Sequence, residues 1–514
     1  MERLLWYEGN WHPSFEGKTH NIVNPANKKI IGKTHLAGPK DIEKAIDSST
    51  KAFALWSHTS IKTREQILNK AALLIENKID EISKILTEEQ GKPLPDSKKE
   101  ILFGAEVIRF YAEEIKSIQG SLRSSSNQNI RNIVQYQPYG IAAAIVPWNY
   151  PVDLYCWKVG PALAAGCPII IKPPHETPLA IAKVVECFHE AGLPPGVLND
   201  LPGTGMIAGE YLAKHPKIRI ISATASVSAG QSIMVAASNN LKRMALELGG
   251  HSPFIVMPDV DIEKTAKAAL RRSFSNMGQI CIAVNRILIH ETIYSDFVEC
   301  ISALTDEMVL GPGNQEGILY GPVLNKNIID RTEKHLKDAV QKGAKQVAGS
   351  QRIDNELSES GFFIRPSLVA DTPIDTLVMN EETYGPLSGM RAFKNTNEVI
   401  EIANSLPYGL AAYLYSDDLE SAWCIADQLE FGAVGINVND TSELQAPFGG
   451  WKMSGFGREL GTEGLYTYLE TKHLKVRMNK KIDMAEFMKE NERSEMTQVR
   501  VKLWVMTMLL LLLL

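Results

Sequence analysis

"IAAAIVP" at residues 141–147, "PIIIKP" at 168–173 and "RIISAT" at 219–224 are built alike. Each is a short apolar run stopped by proline, serine or threonine. A strand that is apolar at successive positions must be covered on both faces, as the strands of a parallel sheet are. The stretches between them, such as "TPLAIAKVVECFHEAG" (177–192) and "IAGEYLAKHP" (207–216), carry apolar residues at helical spacing. Strand, helix, strand at this rhythm predicts a parallel sheet with helices on both sides. Such sheets receive ligands at the carboxyl ends of their strands. The polar residues Asn149, Lys172 and Ser222 fall at those ends.

Upstream, residues 41–119 read as helices, interrupted at Gly91-Lys92-Pro93, where one helix stops and the next begins. "SLRSSSNQNIRNIVQYQPYG" (121–140) then turns polar and alternating, as an exposed ribbon would. A second alternation of strands and helices starts near "SPFIVMPDVDIEKTAKAALRRSFSN" (252–276) and runs to "EFGAVGINVND" (430–440). The expected class is therefore α/β, with two parallel-sheet domains and a small β ribbon. Residues 1–119 with 140–248 form the first domain and 249–435 the second. Residues 120–139 with 455–477 form the ribbon, and 478–514 a charged, then apolar, tail.

The chain has 514 residues, 44% hydrophobic and 22% charged, with a formal net charge of −6. That length supports more than one domain and a large core, and that balance excludes nucleic acid as an expected partner. Six cysteines (Cys156, Cys167, Cys187, Cys281, Cys300 and Cys424) lie far apart without paired spacing. This argues against a disulfide framework or a metal site and for a reducing, cytoplasmic location. The run from Leu503 to Leu514 is shorter than the roughly 20 residues a bilayer crossing needs. We read it as a tail rather than an anchor, so a membrane is not an expected partner.

"FSNMGQICIAVNR" (274–286) sets Cys281 behind Asn276, Gly278 and Gln279, in a polar loop after a helix. The other five cysteines sit mostly in apolar contexts suited to packing. A cysteine is a nucleophile as its thiolate, where substrate can reach it. "MALELGGHSPFIVM" (244–257) places Glu247 at a strand end before Gly249-Gly250, where the chain can turn sharply. A carboxylate there is either a paired ion or a base with a raised pKa. Asn149 in "VPWNYP" can offer an amide to an oxyanion, and Lys172 ends a strand before two prolines. Each also has an ordinary alternative: a packing thiol, a paired glutamate, a turn asparagine, a surface lysine. The glycines of "LPGTGMIAG" (201–209) are spaced one residue too widely for the dinucleotide fingerprint. "ISATASVSAG" (221–230) could open a helix that receives a phosphate.

Taken in chain order, "NPANKKIIG", "VPWNYP", "LAAGCPIIIKPPHETP", "LELGGHSP", "GQIC", "LYGPVLN", "EETYGP", "ANSLPYGLAA" and "APFGGWKMSGFGRELGTEGLYTYLETK" resemble the aldehyde dehydrogenase superfamily. The resemblance covers about residues 5–476. It implies a cofactor domain, a catalytic domain and a bridging ribbon that makes homodimers or homotetramers. It also implies oxidation of a small-molecule aldehyde to an acid with NAD or NADP. Matched by position, Cys281 is the nucleophile, Glu247 the general base and Asn149 the side-chain half of the oxyanion hole. Lys172 and Glu382 match the residues that hold the ribose units, and Tyr384 the aromatic beside the nicotinamide. Trp148, His175, Ser222, Thr224 and Gly249 fall along the same cofactor path, and Tyr150, Trp157 and Phe448 line the aldehyde tunnel.

The chain departs from the family pattern in places. Ala223 and Ser228 stand where relatives often carry glycine beside the cofactor phosphates. His175 stands where NAD-preferring relatives often carry glutamate, which implies that NADP is tolerated. Trp157 and Ser275 occupy positions where semialdehyde-specific relatives offer arginines, whereas Asp440 and Glu443 suggest a cationic substrate end. Alternatives are a silent dinucleotide-binding scaffold, a semialdehyde-specific dehydrogenase and a CoA-acylating enzyme. Glu247 argues against the last.

Overall fold

The structure is a computed structural model that describes residues 1–350, 353, 355–478 and 484–511. The chain divides into two compact units, residues 1–117 with 138–470 and residues 118–137 with 471–514.

The larger unit holds two main sheets. The first has eight strands, ordered Gly455–Phe456, Arg243–Glu247, Ile218–Thr224, Ile141–Ile145, Ile169–Lys172, Leu198–Asp200, Leu5–Tyr7 and Asn10–His12. Its centre is parallel, with Ile221 paired to Ala143 and Ile145 to Lys172. Ile169, Ile170 and Ile171 are fully buried, each worth about 1.5–3 kcal/mol of transfer. This is why the run admits no alternation, and why Lys172, next in line, is buried too.

The second sheet has seven strands, ordered Lys345–Ala348, Ser367–Ala370, Leu387–Phe393, Val284–His290, Ser252–Val256, Ala411–Tyr415 and Ala433–Ile436. All its pairings are parallel except that of Lys345–Ala348 with Ser367–Ala370. Its apolar core includes Ile255, Leu288, Val369, Leu387 and Leu414.

The smaller unit contains a three-stranded ribbon, in the order Leu469–Arg477, Ile130–Pro138 and Ser121–Arg123. The C-terminal segment of the ribbon therefore begins at Leu469. Residues 455–456, assigned to it from sequence, instead pair antiparallel with Arg243–Glu247. The tail is helical over Met484–Leu511, and residues 512–514, which the apolar run includes, lie outside the described residues. No helix among the described residues is long and apolar enough to cross a membrane.

Candidate active site

Cys281 owes its position to an abrupt change of backbone. The helix Ile262–Phe274 opens on Asp261, whose side chain accepts from the Lys264 N–H at 2.9 Å. Past its end the chain runs left-handed for three residues, Asn276 (φ 46°), Met277 (φ 58°) and Gly278 (φ 71°). Two of these carry side chains and pay for the conformation. A Cβ at Gly278 would collide with the Gly385 carbonyl oxygen. Gln279 anchors the turn, donating from Nε2 to the Asn276 carbonyl at 2.7 Å and accepting from the Leu324 N–H at 2.9 Å.

Glu247 ends its strand beside this loop. Gly249 and Gly250 have no positive φ, so the sharp turn read from sequence is not what they provide. They provide close approach. A Cβ on Gly250 would strike the Cys281 carbonyl oxygen, and one on Gly249 would come within 2.5 Å of Glu382 Oε2. The Gly250 N–H donates to Glu382 Oε1 at 3.1 Å.

Burial raises the Glu247 carboxyl to about 8; Glu459 adds to the rise, while the Cys281 thiol opposes it. Such a shift disfavours the ionised form by roughly 5 kcal/mol. Burial, then the charge of Glu247, pushes the Cys281 thiol well up. The Glu247 charge suppresses ionisation of the thiol, whereas the neutral thiol, as a donor, favours the carboxylate. Neither Glu247 oxygen has a hydrogen-bond partner of ordinary geometry; the thiol is its neighbour. Behind Glu247 lies a buried Lys158–Glu459 ion pair. Sequence reading missed this pair, although Glu459 lies within the quoted "GFGREL". Ser222 Oγ donates to Glu459 at 3.1 Å, and Thr224 Oγ1 accepts from Lys158 at 2.8 Å. Each hydroxyl makes one hydrogen bond to this pair, and Thr224, which accepts, keeps its own hydrogen to donate.

Asn149 is buried at the start of the helix Pro151–Ala165. Its Nδ2 donates to the Gln279 carbonyl at 3.1 Å. An amide carries two such hydrogens, so one remains.

Other residues are suited to hold a dinucleotide. Lys172 is buried, and its ammonium donates to the Pro173 and Gly203 carbonyls at 3.0 and 3.3 Å. Burial lowers it to about 8, with Glu176 and Asp200 opposing. A buried donor so placed suits ribose hydroxyls. Burial raises the Glu382 carboxyl to about 7. Trp148 and Tyr384 meet edge to face with centroids 5.6 Å apart. His175 packs edge-on against His20 at 4.7 Å, with Nδ1 3.4 Å from Glu176. Ala223 is fully buried in its strand, while Ser228 is exposed and hydrogen-bonds Ser226 at 3.2 Å.

Cys281 and Asn149 line a cavity of about 440 Å³. Tyr150, Trp157 and Phe448 line it too, with Phe103 and Leu154 among their neighbours. Trp157 meets Phe448 edge to face at 5.3 Å and donates to Asp153 Oδ1 at 2.7 Å. Asp440 also lines the cavity but is paired with Arg272 at 2.5 Å. Glu443 is not in the wall, but Asp96, Glu106 and Asp153 are, so the wall carries carboxylates other than the two read from sequence. Ser275 and Arg271 are both in the wall.

Residues 11–474 match the model of the aldehyde dehydrogenase family. The chain is 37% identical over 475 residues to the glutarate-semialdehyde dehydrogenase of Pseudomonas putida, covering 92% of this chain and 98% of that protein. It is 36% identical to the NADP-dependent succinate-semialdehyde dehydrogenase of Escherichia coli, covering 91% and 96%. The crystal structure of betaine aldehyde dehydrogenase from Staphylococcus aureus with NAD+ superposes with a TM-score of 0.91 at 31% identity, covering 94% and 96%. The chain belongs to the aldehyde dehydrogenase family. It is an oxidoreductase that converts an aldehyde to a carboxylic acid with NAD or NADP.

Because Gly250 abuts the Cys281 carbonyl, Gly250→Ala should displace the nucleophile loop. Turnover should fall at least about tenfold, since misplacement by about 1 Å can cost a hundredfold. Steady-state rates on folded protein, checked by melting temperature, test this; an unchanged rate would show that the contact is slack.

Proposed function

We propose that Cys281 attacks the aldehyde carbon, that Asn149 holds the oxygen and that Glu247 activates the hydrolytic water. The contact of Glu247 with the Cys281 thiol, itself in the wall of the aromatic cavity, carries this reading. Addition of the thiolate gives a thiohemiacetal alkoxide, whose charge needs donors. The spare Asn149 amide hydrogen and the Cys281 N–H are the donors in reach of such an oxygen. The nicotinamide, when bound, supplies the acceptor for the hydride released from that carbon. Lys172 and Glu382 would hold its ribose units, with Trp148, Tyr384, His175 and Gly249 along the same path. Water then cleaves the Cys281 thioester, giving the acid and restoring the thiol, with Glu247 taking the water's proton. We also assign the chain to the cytoplasm, as a homodimer or homotetramer.

The substrate we infer is an uncharged, apolar aldehyde. Tyr150, Trp157 and Phe448 form a sleeve for it, and Ser275 offers no cation. A semialdehyde is the second reading, favoured by Arg271 in the cavity wall and by the names of the relatives. Absorbance of reduced cofactor over an aldehyde panel, with Cys281→Ser as control, tests both. A neutral aromatic or medium-chain aldehyde should show the higher kcat/KM. Faster turnover of succinate semialdehyde, lost in Arg271→Ala, would establish the second reading. With His175 in place of a carboxylate, NADP should support turnover to within about a thousandfold of NAD, roughly 4 kcal/mol.

Asn149→Ala should slow turnover by about two to three orders of magnitude, the value of one oxyanion donor. A near-normal rate in folded protein would remove Asn149 from the mechanism.

Hydrolysis of p-nitrophenyl acetate examines Glu247 without cofactor. The ester acylates Cys281, releasing nitrophenolate, and water cleaves the thioester. Because the Glu247 pKa is raised, its carboxylate form accumulates only as pH passes through about 8, and turnover should climb there. Glu459 contributes to that rise, so Glu459→Gln should move the climb to lower pH. A midpoint that stays in place would contradict the assignment.

A further inference from the structure

The backbone carbonyl of Asn149 anchors a buried ring of hydrogen bonds that takes no part in the chemistry above. Two donors meet on its oxygen, Lys92 Nζ at 2.8 Å and Asn276 Nδ2 at 3.1 Å. Asn276 Oδ1 accepts from Gln90 Nε2 at 3.1 Å, and Gln90 Oε1 accepts from the Lys92 N–H at 2.9 Å. The ring closes through Gln279, which bonds the Asn276 carbonyl and receives the Asn149 amide on its own. It thus joins the turn at residues 90–92, the oxyanion donor and the left-handed loop before Cys281.

Every member is withdrawn from water; Gln90 and Gln279 are 0% exposed and Lys92 1%. Burying an ammonium and several amides is expensive unless each finds partners. Lys92 does. It pairs with buried Glu100 and lies 3.6 Å from the centre of the Tyr150 ring. Glu100 accepts in turn from the Val152 and Asp153 N–H groups at 2.9 and 3.3 Å, at the start of the helix that follows Asn149. Neither Gln90 nor Lys92 lines the cavity, although Glu100 and Tyr150 do. Their effect on the reaction must therefore pass through the groups they hold.

We infer that Gln90 and Lys92 are positioning residues, which fix the Asn149 amide relative to the Cys281 loop. The inference rests on the oxyanion role proposed for Asn149. Supporting side chains of this kind set the geometry of a reactive group without touching the substrate.

Two variants test it. Gln90→Met keeps the volume and removes both side-chain hydrogen bonds. Lys92→Met combined with Glu100→Gln removes both charges together, leaving neither buried alone. Each should lower kcat by about 10–100-fold; for Gln90→Met, which leaves the cavity wall intact, KM should change less than about threefold. Each should also be non-additive with Asn149→Ala. Once the oxyanion amide is gone, Gln90→Met should cost little more, as coupled residues do in a double-mutant cycle. A packing role alone would leave the losses multiplying. The inference is overturned if Gln90→Met turns over within about twofold of the parent while Asn149→Ala is slow, or if the losses multiply. A normal rate in Asn149→Ala would instead remove the oxyanion role, and this inference with it.

Discussion

A thiol and a carboxyl share one water-poor space, and neither can ionise freely while the other is charged. Burial is the larger cause for both, and each adds to or tempers the other's shift. Both shifts favour the protonated forms of the pair. The thiol must lose its proton to attack and the carboxyl its own to act as a base, which makes the surroundings of Glu247 part of the chemistry. Glu459 raises the Glu247 pKa while Lys158 lowers it. A buried ion pair of that kind is weak evidence for stability; here its position behind the base gives it an electrostatic consequence.

The fold supplies this arrangement by bringing two sheets' ends to one place. Glu247 closes a strand of the first sheet, and the chain enters the second at Ser252. Cys281 lies just before Val284–His290, a neighbour of Ser252–Val256 in that second sheet. The first sheet thus contributes the carboxyl end of a strand, and the second the amino ends of two parallel strands. At the crossing, Gly250 lacks a side chain where the Cys281 carbonyl passes, and Gly249 where Glu382 passes. The strain of Asn276 and Met277 is offset by the hydrogen bonds their loop receives.

Much of this was legible beforehand. The three apolar runs announced a covered parallel sheet, since their spacing leaves no polar face. The nucleophile, base and amide followed from resemblance, with local sequence leaving each an ordinary alternative. What escaped reading was set by tertiary contact. Gly249-Gly250 looks the same whether it turns or merely yields space. Gly91-Lys92-Pro93 reads as a helix stop, and nothing local says that Lys92 reaches the Asn149 carbonyl. Asp440 reads as a free charge until Arg272 is seen beside it, and nothing local says that Ser222 and Thr224 meet Lys158 and Glu459.

The account stands on transient acylation of one sulfur, followed by release with water. Glu247→Gln protein, incubated with a preferred aldehyde and oxidised dinucleotide and then digested, should yield the peptide containing Cys281 with its mass raised by the acyl group. A digest in which that peptide stays unmodified, while reduced dinucleotide is still formed stoichiometrically with enzyme, would contradict it.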